Sequence, residues 1–179
     1  MQITQLTSNT QRLETSQFVR LPRRNVFAFF SDPRNLEAIT PPWLRFRITG
    51  QSDEKIRQGT ELTYRLKVHG LPMTWVSRIT EWEPDRQFVD VQMKGPYAYW
   101  HHRHIFDEVE GGTMIRDQVD FQIPFGRLGR WLGGRMVEGD IREIFRYRSD
   151  LTERLLSVPR QSEFPGAAWM PLRAPVTWH

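Results

Sequence analysis

The 179-residue chain contains no cysteine. Disulfides, thiolate nucleophiles and cysteine-ligated zinc or iron–sulfur clusters are excluded together, and any chemistry falls to His, Asp, Glu, Arg, Tyr or Ser. Lysine is nearly missing as well: Lys55, Lys67 and Lys94 are the only three among 25 basic residues. The cations are interspersed with 21 acidic residues for a net charge of +4, without a solid basic block, which argues against a nucleic-acid partner. No uncharged apolar run approaches the roughly 18 residues that a membrane helix needs. The polar start Met1-Gln2-Ile3-Thr4-Gln5 has no secretory core. The expectation is a cytoplasmic protein without stable membrane insertion. Gly-x-Ser-x-Gly, a phosphate-binding glycine loop and a dinucleotide fingerprint are missing too.

What is present is aromatic: seven tryptophans, eleven phenylalanines and a hydrophobic fraction of 39%. A chain of this length folds as one domain and buries about 70% of its unfolded-chain surface. Residues 1–158 read as that domain and 159–179 as a proline-rich tail, with Pro159, Pro165, Pro171 and Pro175 and no period. Trp169 and Trp178 in the tail are mostly expected not to dock on the domain.

Residues 11–20 alternate as a first strand. Residues 23–31, with Val26, Phe27, Phe29 and Phe30, form a short core-packed helix, and Asp32-Pro33 supplies a cap and an N1 proline for a second, to about Ile39. From Trp43 onward, six strands follow at intervals of roughly ten residues, each turn carrying Gly or Pro. The clearest is Leu62, Tyr64, Leu66 and Val68 alternating with Thr63, Arg65, Lys67 and His69. After Pro124-Phe125-Gly126 the period becomes helical, with Val137, Ile141, Ile144, Arg148, Leu151 and Leu155 on one stripe. Gly133 and Gly134 are expected to break off a leading turn, and Pro159 to end the helix.

One strand stands out. Tyr97-Ala98-Tyr99-Trp100-His101-His102-Arg103-His104-Ile105-Phe106 holds three of the five histidines. Alternation puts Trp100, His102, His104 and Phe106 on one face and Tyr99, His101, Arg103 and Ile105 on the other.

Strand, two short helices, six antiparallel strands and a long helix make an α+β chain whose order resembles the helix-grip fold of the START-like, or SRPBCC, superfamily. The resemblance covers about residues 8–158. Phe29-Phe30-Ser31-Asp32-Pro33 with Leu36, Ile39-Thr40-Pro41-Pro42-Trp43, Gly95-Pro96-Tyr97 with the histidine strand, and Pro124-Phe125-Gly126 with Leu128-Gly129 look like the ligand-binding proteins of cyclase/dehydrase type. The resemblance implies a seven-stranded curved sheet gripping the long helix around a hydrophobic cavity. It does not imply one reaction, since related proteins include lipid and quinone carriers, aromatase/cyclases and stress-response factors.

If the turn at residues 110–112 closes a regular hairpin, facing residues sum to about 219, setting His102 opposite Asp117 and His104 opposite Ile115. A carboxylate beside a strand imidazole fixes its tautomer, as in a general acid or base; the plainer reading is a structural hydrogen bond. His102, His104 and Asp117 also have metal-ligand spacing, but the resembled family generally works without metal, and neither metal nor cofactor is expected. The same pairing logic gives a wall of Tyr64, Trp75, Phe88, Trp100, Phe106, Val119 and Phe121 with Asp90, His102, His104 and Asp117 as its polar groups, and Ile141, Ile144 and Arg148 facing it from the helix. Each aromatic is by itself ordinary core. Arg148 is expected to lay its stem along the core and put its head in water. The leading expectation is a binder of a hydrophobic small molecule: a lipid, isoprenoid, quinone or aromatic polyketide. The alternatives are a cyclase or dehydratase using His102 with Asp117, and an interaction module with a vestigial cavity.

Overall fold

The computed structural model describes residues 1–157, so the tail at 159–179 and the helix stop at Pro159 lie outside the described residues. Eight antiparallel strands form one sheet: β1 Gln2–Gln5, β2 Gln11–Val19, β3 Arg47–Gln51, β4 Glu61–Val68, β5 Leu71–Glu83, β6 Gln87–Lys94, β7 Tyr99–Val109 and β8 Gly112–Gln122. Their spatial order is β1-β2-β8-β7-β6-β5-β4-β3. Between β2 and β3 lie helices α1 (Arg23–Phe30) and α2 (Pro33–Ala38) and a single tight turn, Pro42–Leu44; α3 (Gly126–Ser157) follows the sheet.

The sheet has one strand more than the sequence implies. Residues 2–5, read there only as a polar start, pair with β2 through Ile3 opposite Leu13 and make an edge strand. Four residues with one aliphatic side chain carry too little alternation to announce a strand, and the partner supplies the order. The helix break at Gly133 and Gly134 is a second correction, since α3 runs through both. Two glycines cost about 2 kcal/mol in a helix interior, which the flanking turns of a 32-residue helix absorb.

Local chemistry fixes the elements that hold the site. The Asp32 carboxylate accepts from the Arg34 N–H at 3.0 Å and Pro33 takes the first helical position, so α2 starts where a cap and a proline together dictate. His69 and Gly70, the two central residues of the β4–β5 turn, both have positive φ, 49° and 81°, the condition for a tight hairpin that follows the strand twist. Gly111, at φ 80°, turns β7 into β8 with Val109 facing Gly112.

Two apolar clusters lie on the concave face. One joins Val19, Val26 and Phe27 of the β2–α1 region to Ile79, Phe88, Phe106 and Ile115. Phe27 stands edge-on to Trp82, Phe106 and Phe88 at 5.2, 5.6 and 6.1 Å between ring centres, the arrangement that ring quadrupoles favour. The other joins Leu13, Val119 and Phe121 to Ile141 and Phe145 of α3. Between the two clusters the sheet and the helix stand apart, and the site occupies the gap.

Candidate functional site

The gap is a cavity of about 190 Å3 whose lining includes Tyr64, Trp75, Phe88, Asp90, Trp100, His102, His104, Ile141, Ile144 and Arg148, all expected there from sequence. A second space of about 470 Å3 adjoins it toward the start of α3, with Leu44, Leu66, Trp75, Tyr97 and Ile144 lining both. Phe106, Val119 and Phe121, expected in the wall, instead pack in the two apolar clusters and do not line it. Asp117 sits one layer behind, buried under the imidazoles.

The polar floor is four side chains in a ring. His102 Nε2 lies 2.9 Å from Asp117 Oδ1, His104 Nε2 is 3.1 Å from Asp90 Oδ2, and His102 Nδ1 is 3.7 Å from Asp90 Oδ2. His104 Nδ1 closes the ring at 3.0 Å from Asp117 Oδ1, too far off axis to count as a hydrogen bond. The imidazoles stand 3.7 Å apart, centre to centre.

The hairpin register differs from the expected one by two residues. His104 faces Asp117 and His102 faces Val119, because the turn centres one residue later than assumed. A two-residue slip keeps every side chain on its face. The His102–Asp117 contact therefore survives as a diagonal one. His101 lies on the other face, stacked on Tyr99.

Burial pushes His102 down, the neighbouring His104 pushes the same way, and the two aspartates only partly oppose them, leaving its pKa at about 4. Burial raises the Asp117 carboxyl, but Arg148 and the two imidazoles outweigh it and hold it well below the usual range. The same balance, with His104 first among the lowering groups, brings Asp90 down. At neutral pH both carboxylates are ionised and His102 is neutral. Since a carboxylate only accepts, the proton between His102 and Asp117 belongs to His102 Nε2, and Nδ1 keeps its lone pair beside Asp90.

Arg148 corrects the expectation of an outward head. It lines the cavity with its guanidinium carbon 5.3 Å from the Phe30 ring centre and 6.0 Å from that of Phe145, and its buried Nε has no hydrogen-bond partner. Two ionised carboxylates on the facing wall explain why a cation is held inward. Asp90, His102 and His104 bring one donor atom each within 4.8 Å of one another, so Asp90, not Asp117, completes the donor set that could hold a metal ion. Two imidazoles and a carboxylate suit a divalent transition metal.

Some of the lining escaped the sequence reading. Trp82 lines the cavity because a bulge at residue 80 shifts β5 by one, so that Ile79 and Trp82 face inward on either side of it. Phe145 lies one helical turn beyond Ile141 and one residue past Ile144, a position that helical spacing allows. Phe29, Phe30, Leu36 and Ile39 close the end of the cavity from α1 and α2. The Tyr64 hydroxyl is tied to Ser77 at 2.9 Å and its pKa is raised by burial, so it stays a neutral hydroxyl.

An open antiparallel sheet curled against one long helix, with an aromatic cavity between, is the helix-grip class. The model of the family described as "Polyketide cyclase / dehydrase and lipid transport" matches residues 10–154, and the chain belongs to that family. No curated protein matches the chain. Among solved structures, Ms6760 of Mycobacterium smegmatis is similar at 18% identity and TM-score 0.61, over 87% of this chain and 96% of that one. The Zhui aromatase/cyclase of Streptomyces sp. R1128 is similar at 15% identity and TM-score 0.59, over 82% and 96%. Ara h 8.0201 is similar at 13% identity and TM-score 0.52, over 79% and 97%. These likenesses establish the fold. Among the described residues, no helix is long and apolar enough to cross a membrane.

Proposed function

We propose that the protein binds a hydrophobic small molecule with a polar end, of the lipid, isoprenoid, quinone or aromatic polyketide class, in the cavity between sheet and α3. The observation that supports this best is the lining: Trp75, Phe88, Trp100, Ile141 and Ile144 surround a polar spot of Asp90, His102, His104 and Arg148. A mostly apolar concavity with a few convergent polar groups buries a ligand's body and orients its end. The unpartnered Arg148 Nε is a donor for a carbonyl, carboxylate or hydroxyl on the ligand, and the His102 Nδ1 lone pair is an acceptor for a ligand hydroxyl. Solvent extraction of purified protein followed by mass spectrometry should recover a hydrophobic compound. An empty extract, together with no thermal shift across a panel of such compounds, would refute the reading.

A second reading, a cyclase or dehydratase, draws on the His102–Asp117 contact, in which the carboxylate orients the ring and leaves Nδ1 as base. The pKa of about 4 makes that nitrogen unprotonated but weak, whereas a general base works best with a pKa near the operating pH. Orientation of a ligand is therefore the better-supported role. Substituting His102→Gln separates the two: turnover lost with binding retained favours the enzyme, while equal loss of both favours the binder.

A further inference from the structure

The first third of α3 carries a face that nothing in the described residues covers. Leu128, Trp131, Leu132 and Met136 stand at i, i+3, i+4 and i+8, the spacing of a helix's buried stripe. Yet Trp131 is 81% exposed and Leu132 71%, and Phe125, Leu128 and Met136 are exposed beside them. An apolar patch of this kind on a folded domain marks a contact surface.

The charges around it select the partner. Arg127, Arg130 and Arg135 are interleaved with these apolar residues, and no acidic residue occurs between Phe125 and Val137. Of the acids that follow, Glu138 accepts a hydrogen bond from Gln11 and Asp140 pairs with the His69 ring at 2.8 Å, while Glu143 lies farther along the helix at the larger cavity. Arg130 spends one N–H on the Ser8 carbonyl and keeps its charge. Tryptophan and leucine on one helix face with arginine through and beside it is the composition of a helix that lies in the headgroup region of a bilayer. A protein partner would need a complementary acidic, apolar groove, while an anionic bilayer offers both components over any area.

The position adds a second argument. Met136 and Val137 line the larger of the two adjoining cavities, whose other side includes Lys67, Val68, His69 and Gly70 of the β4–β5 hairpin. Leu71, next in that hairpin, is also exposed. We propose that this end of the molecule docks on an anionic lipid surface, with Trp131, Leu132 and Leu128 in the interface and Arg127 and Arg135 on phosphate groups, placing the larger cavity beside the bilayer. The docking stands whatever the cavity holds, and it is peripheral, without a membrane-spanning segment.

The test is flotation of the full chain with vesicles of equimolar phosphatidylcholine and phosphatidylglycerol, against vesicles of phosphatidylcholine alone. The protein should float with the mixed vesicles, much less with the neutral ones, and be released by raised salt. Trp131→Glu with Leu132→Glu should weaken flotation about tenfold or more, and Arg127→Gln with Arg135→Gln by roughly tenfold or more. Trp131→Ser with Leu128→Ser, a milder pair at the same exposed face, should do so in the same direction. Failure to float with mixed vesicles would overturn the proposal, as would flotation unchanged in all three variants. A self-associated form in solution that Trp131→Glu with Leu132→Glu dissociates, with vesicle binding absent, would assign the face to a second copy instead.

Discussion

The two ends of α3 have similar amphipathic patterns and opposite surroundings. In residues 126–137 the apolar side chains Leu128, Trp131, Leu132 and Met136 are exposed, whereas farther along Ile141, Phe145 and Thr152 are buried to a few per cent exposure or less. The difference is the sheet. Ile141 and Phe145 meet Leu13 of β2 and Val119 and Phe121 of β8, while Leu128, Trp131, Leu132 and Met136 at the start of α3 belong to neither cluster. Helical periodicity reports which side chains share a face, and only the partner decides whether that face is core or contact surface.

The sharpest way to break the comparison is truncation on each side. Phe145→Ala should cost about 3–5 kcal/mol and Ile141→Ala about 2–5, through lost transfer energy and an incompletely collapsed cavity. Leu132→Ala should stay within about 0.5 kcal/mol. Urea unfolding of the three variants at neutral pH gives the ranking. Comparable losses at Phe145 and Leu132 would mean that the exposed end is covered in the folded protein.

The buried half also holds the titrating ring, so acid should act on that half of the helix's surroundings. His102 has a folded pKa of about 4 against an ordinary 6.5, so the unfolded chain binds more protons between those values. Stability must therefore fall as the pH drops from about 6.5 toward 4. Asp90 and Asp117, both depressed, contribute stability that is present above the ordinary carboxylate range and lost as the pH falls through and below it. The loss due to His102 should be on the order of 1–3 kcal/mol by pH 4. His102→Gln should flatten the upper part of the curve, from pH 6.5 to 4, and shrink the lower part, since Asp117 and Asp90 lose one of the imidazoles that hold them down. Stability unchanged between pH 7 and 4.5 in the parent chain would contradict the neutral, buried His102.

How far the sequence reached depends on what each signal encodes. Asp32-Pro33 marks the start of α2 because a cap and an N1 proline act locally. The cavity face of β7 was legible from alternation, and it withstood a wrong register because an even slip preserves faces. Trp82 was not legible: one extra residue in β5 reverses parity, and no residue type announces the bulge. Arg148 was misread because its orientation is set by Asp90 and Asp117, carboxylates brought near it only by the sheet. The edge strand β1 drew its order from β2 in the same way.

The smallest expected effect lies at the exposed end. A Cβ added at Gly133 meets no atom within 4 Å, and Gly133 sits inside a continuous helix at an ordinary negative φ. Gly133→Ala should therefore stabilise the protein by about 0.5–1 kcal/mol, by removing backbone freedom from the unfolded chain without a contact to disturb. Gly129 is the control four residues earlier. A Cβ there would fall 1.8 Å from the Pro124 carbonyl oxygen, a backbone atom, so Gly129→Ala must displace the segment that leads into the helix and should lose stability. Thermal melts of the two variants separate the readings: a gain at 133 with a loss at 129 places the first turn of α3 against residue 124 and leaves the next turns free. A loss at both positions would mean that the exposed face is packed against something in solution, and the contrast between the two ends of α3 would then disappear.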